Sequence, residues 1–345
     1  MRAIVYSETG DPDVLRLTDR PVPEPGPGEI RVRVRVSGVN PTDWKARRGN
    51  RGQPPDFPEV VPNHDGSGTV DAVGPGVATG RVGERVWLWE AAWQRADGTA
   101  QEYVVLPERQ AVPLPDGASF ELGASLGIPA LTAHRCLTVY EGSSGRLAPG
   151  TLAGRVVLVA GGAGAVGNAV IQLARWAGAT VITTVSSPEK AALARAAGAD
   201  AAVNYRTEDA VAEIRRVAPS GVDIVVEVAP TANAALNRAA VGTAATIAVY
   251  ATDSSDDLAL PVWPLMIKNV GYRFVLVYTV PDSAKTNAVD DVSAAVAAGA
   301  LRVGDEAGLS LHRYPLDQTV AAHAAVEAGA VGKVLIDVSP RVDLG

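Results

Sequence analysis

The sequence predicts an α/β chain of two domains, one rich in β-strands and the other a doubly wound parallel sheet, and three observations carry that reading. Arg and Val alternate from Arg31 to Val36 in EIRVRVRVSGV, the period of a strand with one buried face. Continuous apolar runs separated by Ala-rich helical segments fill the middle of the chain, as in a parallel sheet covered on both faces. Between the first of these runs and the helix after it lies GGAGAVG, whose glycines are spaced to cradle a phosphate.

In chain order, MRAIVYSETGD alternates as a strand and EIRVRVRVSGV follows it. PVPEPGPGE, GPGV and LPDGAS punctuate the first 125 residues at the short intervals of an all-β domain, their glycines explained by turn chemistry. Near residue 127 the pattern changes to helix and strand, with strands expected at VVLVA, TVITTV, DAAV, DIVVEV, ATIAVY and YRFVLVY. A helix near SAKTNAVDDVSAAVAAG comes next, and the tail LHRYPLDQTVAAHAAVEAGAVGKVLIDV supplies one more helix and a last strand that returns to the first domain. The expected division is therefore 1–126 with 300–345, and 127–299, and the 345 residues suit two domains of about 100 to 200 residues each.

A composition of 47% hydrophobic and 20% charged residues is that of a globular, ordered chain. The net charge of −7 argues against a general nucleic-acid or anionic-membrane binder, which needs a cationic field. No run approaches the roughly 18 uninterrupted apolar residues of a membrane span, and MRAIVYSETGD lacks the apolar core of a secretory signal, so a cytoplasmic protein is expected. The single cysteine, Cys136, can form neither an internal disulfide nor a four-cysteine zinc site, and TAHRCL reads as a helix with a buried thiol.

In the loop, Gly162 permits the tight turn, Gly164 lets backbone approach a pyrophosphate and Gly167 lets helix pack on strand, with Ala163, Ala165 and Val166 between them. The helix beginning here offers free N–H groups and a positive dipole end. NAD-preferring sites carry an acid about 20 residues on, at the end of the second strand. Here that place holds Ser186, followed by Ser187 and Lys190, hydroxyls and a cation that suit a 2′-phosphate. NADPH is the expected cofactor, and Tyr205 adds a further hydroxyl donor.

GVNPTDWKARRG, PNHDGSGTV, GERVW, GTAQEYVVLP, GIPALTAHRCL, the glycine loop, AGADAAVNYR and GAVGKVLIDV together resemble the medium-chain dehydrogenase/reductase superfamily, above all its zinc-free quinone oxidoreductase, zeta-crystallin-like branch. The resemblance implies a GroES-like substrate domain, built from the first 125 or so residues and the tail, with a Rossmann domain inserted. It implies that Thr132 touches the nicotinamide end and that Asn40 lies near the reactive ring. Asn233, Tyr250, Ala251, Thr252 and Phe274 correspond to positions lining the cofactor, although VYAT departs from the family's usual glycine. Lys333 either reaches the cofactor or is a surface charge. The resemblance also suggests a homodimer joined through VGYRFVLVY.

Zinc-dependent alcohol dehydrogenases resemble the chain in outline but place cysteine at Asn40 and a His-Glu pair at His64 and Asp65. A catalytic zinc needs three protein ligands, asparagine is a poor one, and His64 with Asp65 read as hydrogen-bonded turn residues, so no metal is expected. A reduced nicotinamide without a Lewis acid calls for an electron-poor small-molecule acceptor, a quinone or an α,β-unsaturated carbonyl. In NPTDWK, Lys45, preceded by Trp44, stands where the quinone reductases commonly carry tyrosine two residues after the aspartate, which resembles the alkenal and enone reductases; either Lys45 suits an enolate, or it snorkels to solvent while Trp44 packs the sheet. Asn40, Trp44 and Lys45 are the catalytic candidates. The alternatives are a zinc-type alcohol dehydrogenase and an NADPH-binding protein with little turnover.

Overall fold

The computed structural model describes residues 1–49, 53–252 and 257–339, so the expected tail is described to its strand but not through 340–345. The chain forms two compact units, Met1–Ile128 with Leu311–Gly345, and Pro129–Ser310. Segment 300–310 belongs with the second because Asn168 Nδ2 donates to Ala307 O at 2.8 Å and Gln172 Nε2 to Arg302 O at 3.1 Å.

The first unit contains β1 (Arg2–Val5), β2 (Arg16–Asp19), β3 (Glu29–Val39), β4 (Asp65–Val73), β5 (Arg85–Leu88), β6 (Tyr103–Pro107) and β7 (Ala111–Pro113), with helices α1 (Pro41–Arg48) and α2 (Phe120–Gly123). Its long strand β3 is the hub. Ile30, Val32 and Val34 are fully buried while Arg31 faces outward to Asp71 and Glu24, so the alternating pattern sorts as strand geometry requires. One edge of β3 takes β4; the other is shared, β6 pairing with Glu29 to Arg33 and the chain's last strand with Val36 to Val39.

The second unit contains β8 (Val156–Ala160), β9 (Thr180–Val185), β10 (Ala201–Asn204), β11 (Val222–Glu227), β12 (Val241–Val249) and β13 (Gly271–Phe274). They form one parallel sheet in the order β10-β9-β8-β11-β12-β13, which is the doubly wound order of dinucleotide-binding folds. Its helices are α3 (Gly127–Leu137), whose first two residues belong to the first unit, α4 (Ala165–Trp176), α5 (Pro188–Ala196), α6 (Ala210–Val217), α7 (Ala234–Ala240), α8 (Val262–Met266) and α9 (Asp282–Ala297). The expected strand YRFVLVY ends early, at Phe274, and Val277–Thr279 is a 3-10 turn. Its neighbour β12 stops at Val249, opposite Phe274, so beyond that point there is no ladder to extend.

The tail returns to the first unit as β14 (Leu311–Pro315), α10 (Thr319–Glu327) and β15 (Lys333–Asp337). β15 runs antiparallel to β3 with Val334 opposite Val39. Among the described residues no helix is long and apolar enough to cross a membrane.

Candidate active site

In the second unit the glycine loop leaves β8 and enters α4 at Gly164, the N-cap residue. The N–H groups of Ala165, Val166 and Gly167 in the first turn have no partner within the helix and point where an anion would sit. The left-handed turn residue is Gly161, φ +72°, one position before the glycine assigned that role. Gly162 is needed for another reason: a β-carbon there would overlap the Thr183 hydroxyl. Gly167 packs against Gly161 and Gly162, and a β-carbon would overlap the Gly161 carbonyl. At Gly164 it would meet only the Gly161 carbonyl, at 3.5 Å. The cradle is thus closed behind by helix packing and open over Gly164, and it fits a pyrophosphate.

At the end of β9, Lys190 Nζ donates to Ser186 Oγ at 3.0 Å. Ser187 caps α5, accepting from the Lys190 N–H at 3.3 Å, and its hydroxyl holds the exposed Glu189 carboxyl below its ordinary range. Ser186 and Lys190 therefore form the hydroxyl-cation pair suited to a phosphate, while Ser187 is largely engaged by its own helix. Tyr205, just after β10, is half exposed.

The end of β11 adds a residue that sequence reasoning missed. Glu227 is fully buried and accepts from the Ala229 N–H at 2.6 Å, Asn233 Nδ2 at 3.0 Å and Asn237 Nδ2 at 2.6 Å. Its backbone carbonyl takes the Tyr250 N–H at 3.1 Å. Asn233 and Tyr250, both expected at the cofactor, are brought together by this one acid, whose signal was a charge inside the apolar run DIVVEV. Burial, then Cys136 and Glu227, raise the Tyr250 phenol. Ala251 and Thr252 follow, Thr252 exposed. Thr132 is buried on α3, as is Cys136, whose thiol burial pushes up. Phe274 lies on the open edge strand, 74% exposed.

In the first unit three strand ends meet at Asn40. Gly38 on β3 is opposite Asp65, the first residue of β4, and the β15 register carries its first residue, Lys333, next to Asn40. Asn40 Nδ2 donates to Asp65 Oδ2 at 2.7 Å, and Lys333 Nζ donates to Asn40 Oδ1 at 2.7 Å and to Asp65 Oδ2 at 3.3 Å. Asp65 Oδ1 accepts the Ile128 N–H at 2.8 Å, in the first turn of α3. Gly38 and Gly127 leave room for this: a β-carbon at Gly38 would press on the Lys333 stem and at Gly127 would overlap Asp65 Oδ1. Lys333 is 1% and Asp65 0% exposed in their side chains. Lys333 is accordingly no surface charge, and Asp65 is not a turn residue. A lysine opening an apolar strand was the available signal, since lysine is almost never buried unpaired.

Helix α1 starts at Asn40 with Pro41 in its first turn, and Asp43 reaches back to accept the Asn40 N–H at 2.6 Å. Trp44 is half-buried and Lys45 exposed, the ammonium lying 5.8 Å from the Trp44 ring centroid. Asp43 is buried, and burial, then Asp65, push its carboxyl up to about 8. Burial pushes His64, 4.0 Å from Asp43, down to about 4, and His323, which meets Asn63 Oδ1 at 3.0 Å, down to about 3. Among the described residues no group of three or more His, Cys, Asp or Glu could hold a metal ion.

These shifts give stability a pH dependence. Above about pH 7.5, a unit past the ordinary histidine value, both histidines are neutral folded or unfolded, whereas Asp43 keeps a proton in the folded state, through pH 8, that the unfolded chain has released. Folding then takes up a proton, so stability falls as pH rises, by up to about 1.4 kcal/mol per unit. Urea denaturation across this window is expected to show the decline and to lose it in Asp43→Asn.

Each unit matches a known family. Residues 26–116 match the alcohol dehydrogenase GroES-like domain and 165–294 the zinc-binding dehydrogenase family. The quinone oxidoreductase of Rattus norvegicus is 32% identical over 235 residues, 68% of each chain. Among solved structures, a mycobacterial protein complexed with NADPH is 29% identical at a TM-score of 0.80, over 97% of this chain and 99% of that one. An NAD-dependent alcohol dehydrogenase is 30% identical at a TM-score of 0.82, over 98% and 100%.

Proposed function

Because the chain belongs to the medium-chain dehydrogenase/reductase superfamily, in its zeta-crystallin-like quinone oxidoreductase branch, we propose that it is an NADPH-dependent reductase of electron-poor conjugated carbonyl compounds, quinones or enones, working without a metal. The observation that carries the cofactor is the Lys190–Ser186 pair at 3.0 Å where an NAD site would present an acid. The mycobacterial relative solved with NADPH supports the same reading.

When bound, NADPH supplies a hydride to the acceptor. The α4 N-terminus would hold its pyrophosphate and Ser186 and Lys190 its 2′-phosphate, with the Glu227-Asn233 loop and Thr132 toward its nicotinamide half. For the acceptor, Asn40, Trp44 and Lys45 would offer an amide, a flat apolar face and a cation. Hydride addition to a conjugated carbonyl moves charge onto the oxygen, where hydrogen-bond donors stabilise it. The deciding experiment is NADPH oxidation by chelated protein across quinones, 2-alkenals and cyclic enones, with Lys45→Ala beside wild type. No turnover with any of them would sink the reading.

A second reading, an NAD-linked dehydrogenase, draws on the alcohol dehydrogenase likeness and on the Glu189 carboxylate at Ser187. Steady-state kinetics decide between them: NADPH is expected to give the higher kcat/KM, and Lys190→Ala to cut the NADPH/NADH ratio about tenfold, the worth of one charge-assisted bond. Equal values for both cofactors in wild type would favour the second reading.

Assembly as a homodimer is part of the proposal. Val262, Trp263, Met266 and Ile267 on and after α8, with Phe274 and Leu276 at the open edge of the sheet, are 53 to 74% exposed, and an edge strand beside apolar surface calls for a cover. Light scattering at micromolar concentration should give twice the chain mass, and Phe274→Asp should give the chain mass; a monomeric wild type would refute it.

A further inference from the structure

An asparagine amide has two ends that look alike in shape and differ only in what they bind, and at Asn40 the neighbours decide between them. Lysine can only donate and an ionised carboxylate only accept. With Lys333 Nζ at 2.7 Å from one end and Asp65 Oδ2 at 2.7 Å from the other, one orientation alone is chemically allowed: oxygen toward Lys333, nitrogen toward Asp65. These bonds use one of the two Nδ2 hydrogens. The ammonium draws electron density toward Oδ1 and strengthens the remaining Nδ2–H as a donor, an effect that the carboxylate on the other Nδ2–H offsets in part.

The orientation is rigidly held. Asn40 is 3% exposed, its backbone N–H is bound to Asp43, and Asp65 is anchored on its far side by the Ile128 N–H. The amide belongs to the N-cap residue of α1, next to Trp44 and Lys45. We infer that Asn40 donates its remaining Nδ2–H to the carbonyl oxygen of the acceptor, and that Asp65 and Lys333 are positioning residues that lock the amide as a donor and strengthen it. The inference rests on the reductase reading above and names the group that meets the acceptor oxygen as negative charge gathers there. A donor fixed in advance, on an amide whose oxygen is bound to a buried cation, requires no reorganisation during the reaction, the condition under which such bonds contribute most.

The consequence is selective. Acceptors whose oxygen stays basic need the donor most, and strongly electron-poor quinones need it least. The test compares wild type, Lys333→Arg, Asn40→Ala and the double variant Lys333→Met/Asp65→Asn, which removes both charges together and so leaves no lone buried ion. Thermal denaturation and NADPH titration establish that each variant folds and binds cofactor within about twofold of wild type. Turnover is then measured over benzoquinones and enones of graded electron demand. The double variant is expected to lose about tenfold or more with the electron-rich acceptors and about threefold or less with the electron-poor ones, and Lys333→Arg to keep the wild-type profile.

A second readout needs no turnover. Substituted phenolates of graded basicity, all ionised at the assay pH, mimic the charged oxygen, and their affinity for NADP-loaded protein should climb with basicity about tenfold across the series in wild type and stay nearly flat in the double variant. A uniform loss across acceptors with parallel phenol slopes would show a structural role only and overturn the inference. Full turnover of every acceptor by Asn40→Ala would remove Asn40 from the acceptor side altogether, and the inference with it. Depressed turnover in Asn40→Ala beside a wild-type profile in the double variant would leave the reductase reading standing and reject the part given to Asp65 and Lys333.

Discussion

Lys333→Met is expected to cost about 3 to 5 kcal/mol of folding stability in urea denaturation, the usual result of removing one partner from a buried ion pair. Its side chain and that of Asp65 are 1% and 0% exposed and 3.3 Å apart, so the substitution strands a carboxylate that burial already drives toward the protonated form. Methionine fills the volume of the lysine stem, which isolates the electrostatic part of the loss. Adding Asp65→Asn should recover most of it, because no charge is then left without a partner. A loss in Lys333→Met below about 1 kcal/mol, the scale of an exposed pair, would mean that water reaches this site.

Gly167→Ala is expected to raise the NADPH dissociation constant at least about tenfold, or about 1.4 kcal/mol, and to lower the melting temperature. Helix propensity alone predicts the opposite sign, since alanine is better than glycine within a helix by about 1 kcal/mol. Steric overlap decides against it: the new β-carbon would meet the Gly161 carbonyl and the Gly162 α-carbon, both backbone atoms that cannot swing aside. Relief requires α4 to move off β8, which carries the first-turn N–H groups away from the pyrophosphate. Fluorescence titration with NADPH measures the effect, and unchanged affinity would show that the loop is not the cofactor cradle.

The contrast between these two sites shows what a sequence can disclose. The strand, glycine loop and helix at residues 156–176 were readable because they are neighbours within a few residues, as are the hydroxyl and cation one strand later. Even there Gly161 escaped notice, since the turn needs a positive φ at a position the glycine spacing does not mark. The end of YRFVLVY was unreadable because strand length is set by the partner, and β12 stops at Val249. Asp65 and Lys333 looked like a turn residue and an undecided charge because they are 268 positions apart. Only the register of β3 with β4 and β15 makes them neighbours.

That register also orders events during synthesis. Residues 129–310 are contiguous and can close their own sheet as soon as they leave the ribosome, whereas β3 must wait for β15 to emerge near the end of translation. Until then half of one β3 edge lacks its hydrogen-bond partners and the Asp65 carboxylate lacks its cation, in a nascent chain that already displays Val36 and Val39. Domains generally fold as units in the order in which they are made, and here the unit begun first is completed last. The final strand thus acts as a latch on the first domain: a chain stopped before Lys333 keeps every strand of the nucleotide sheet but lacks the partner of Val36 to Val39.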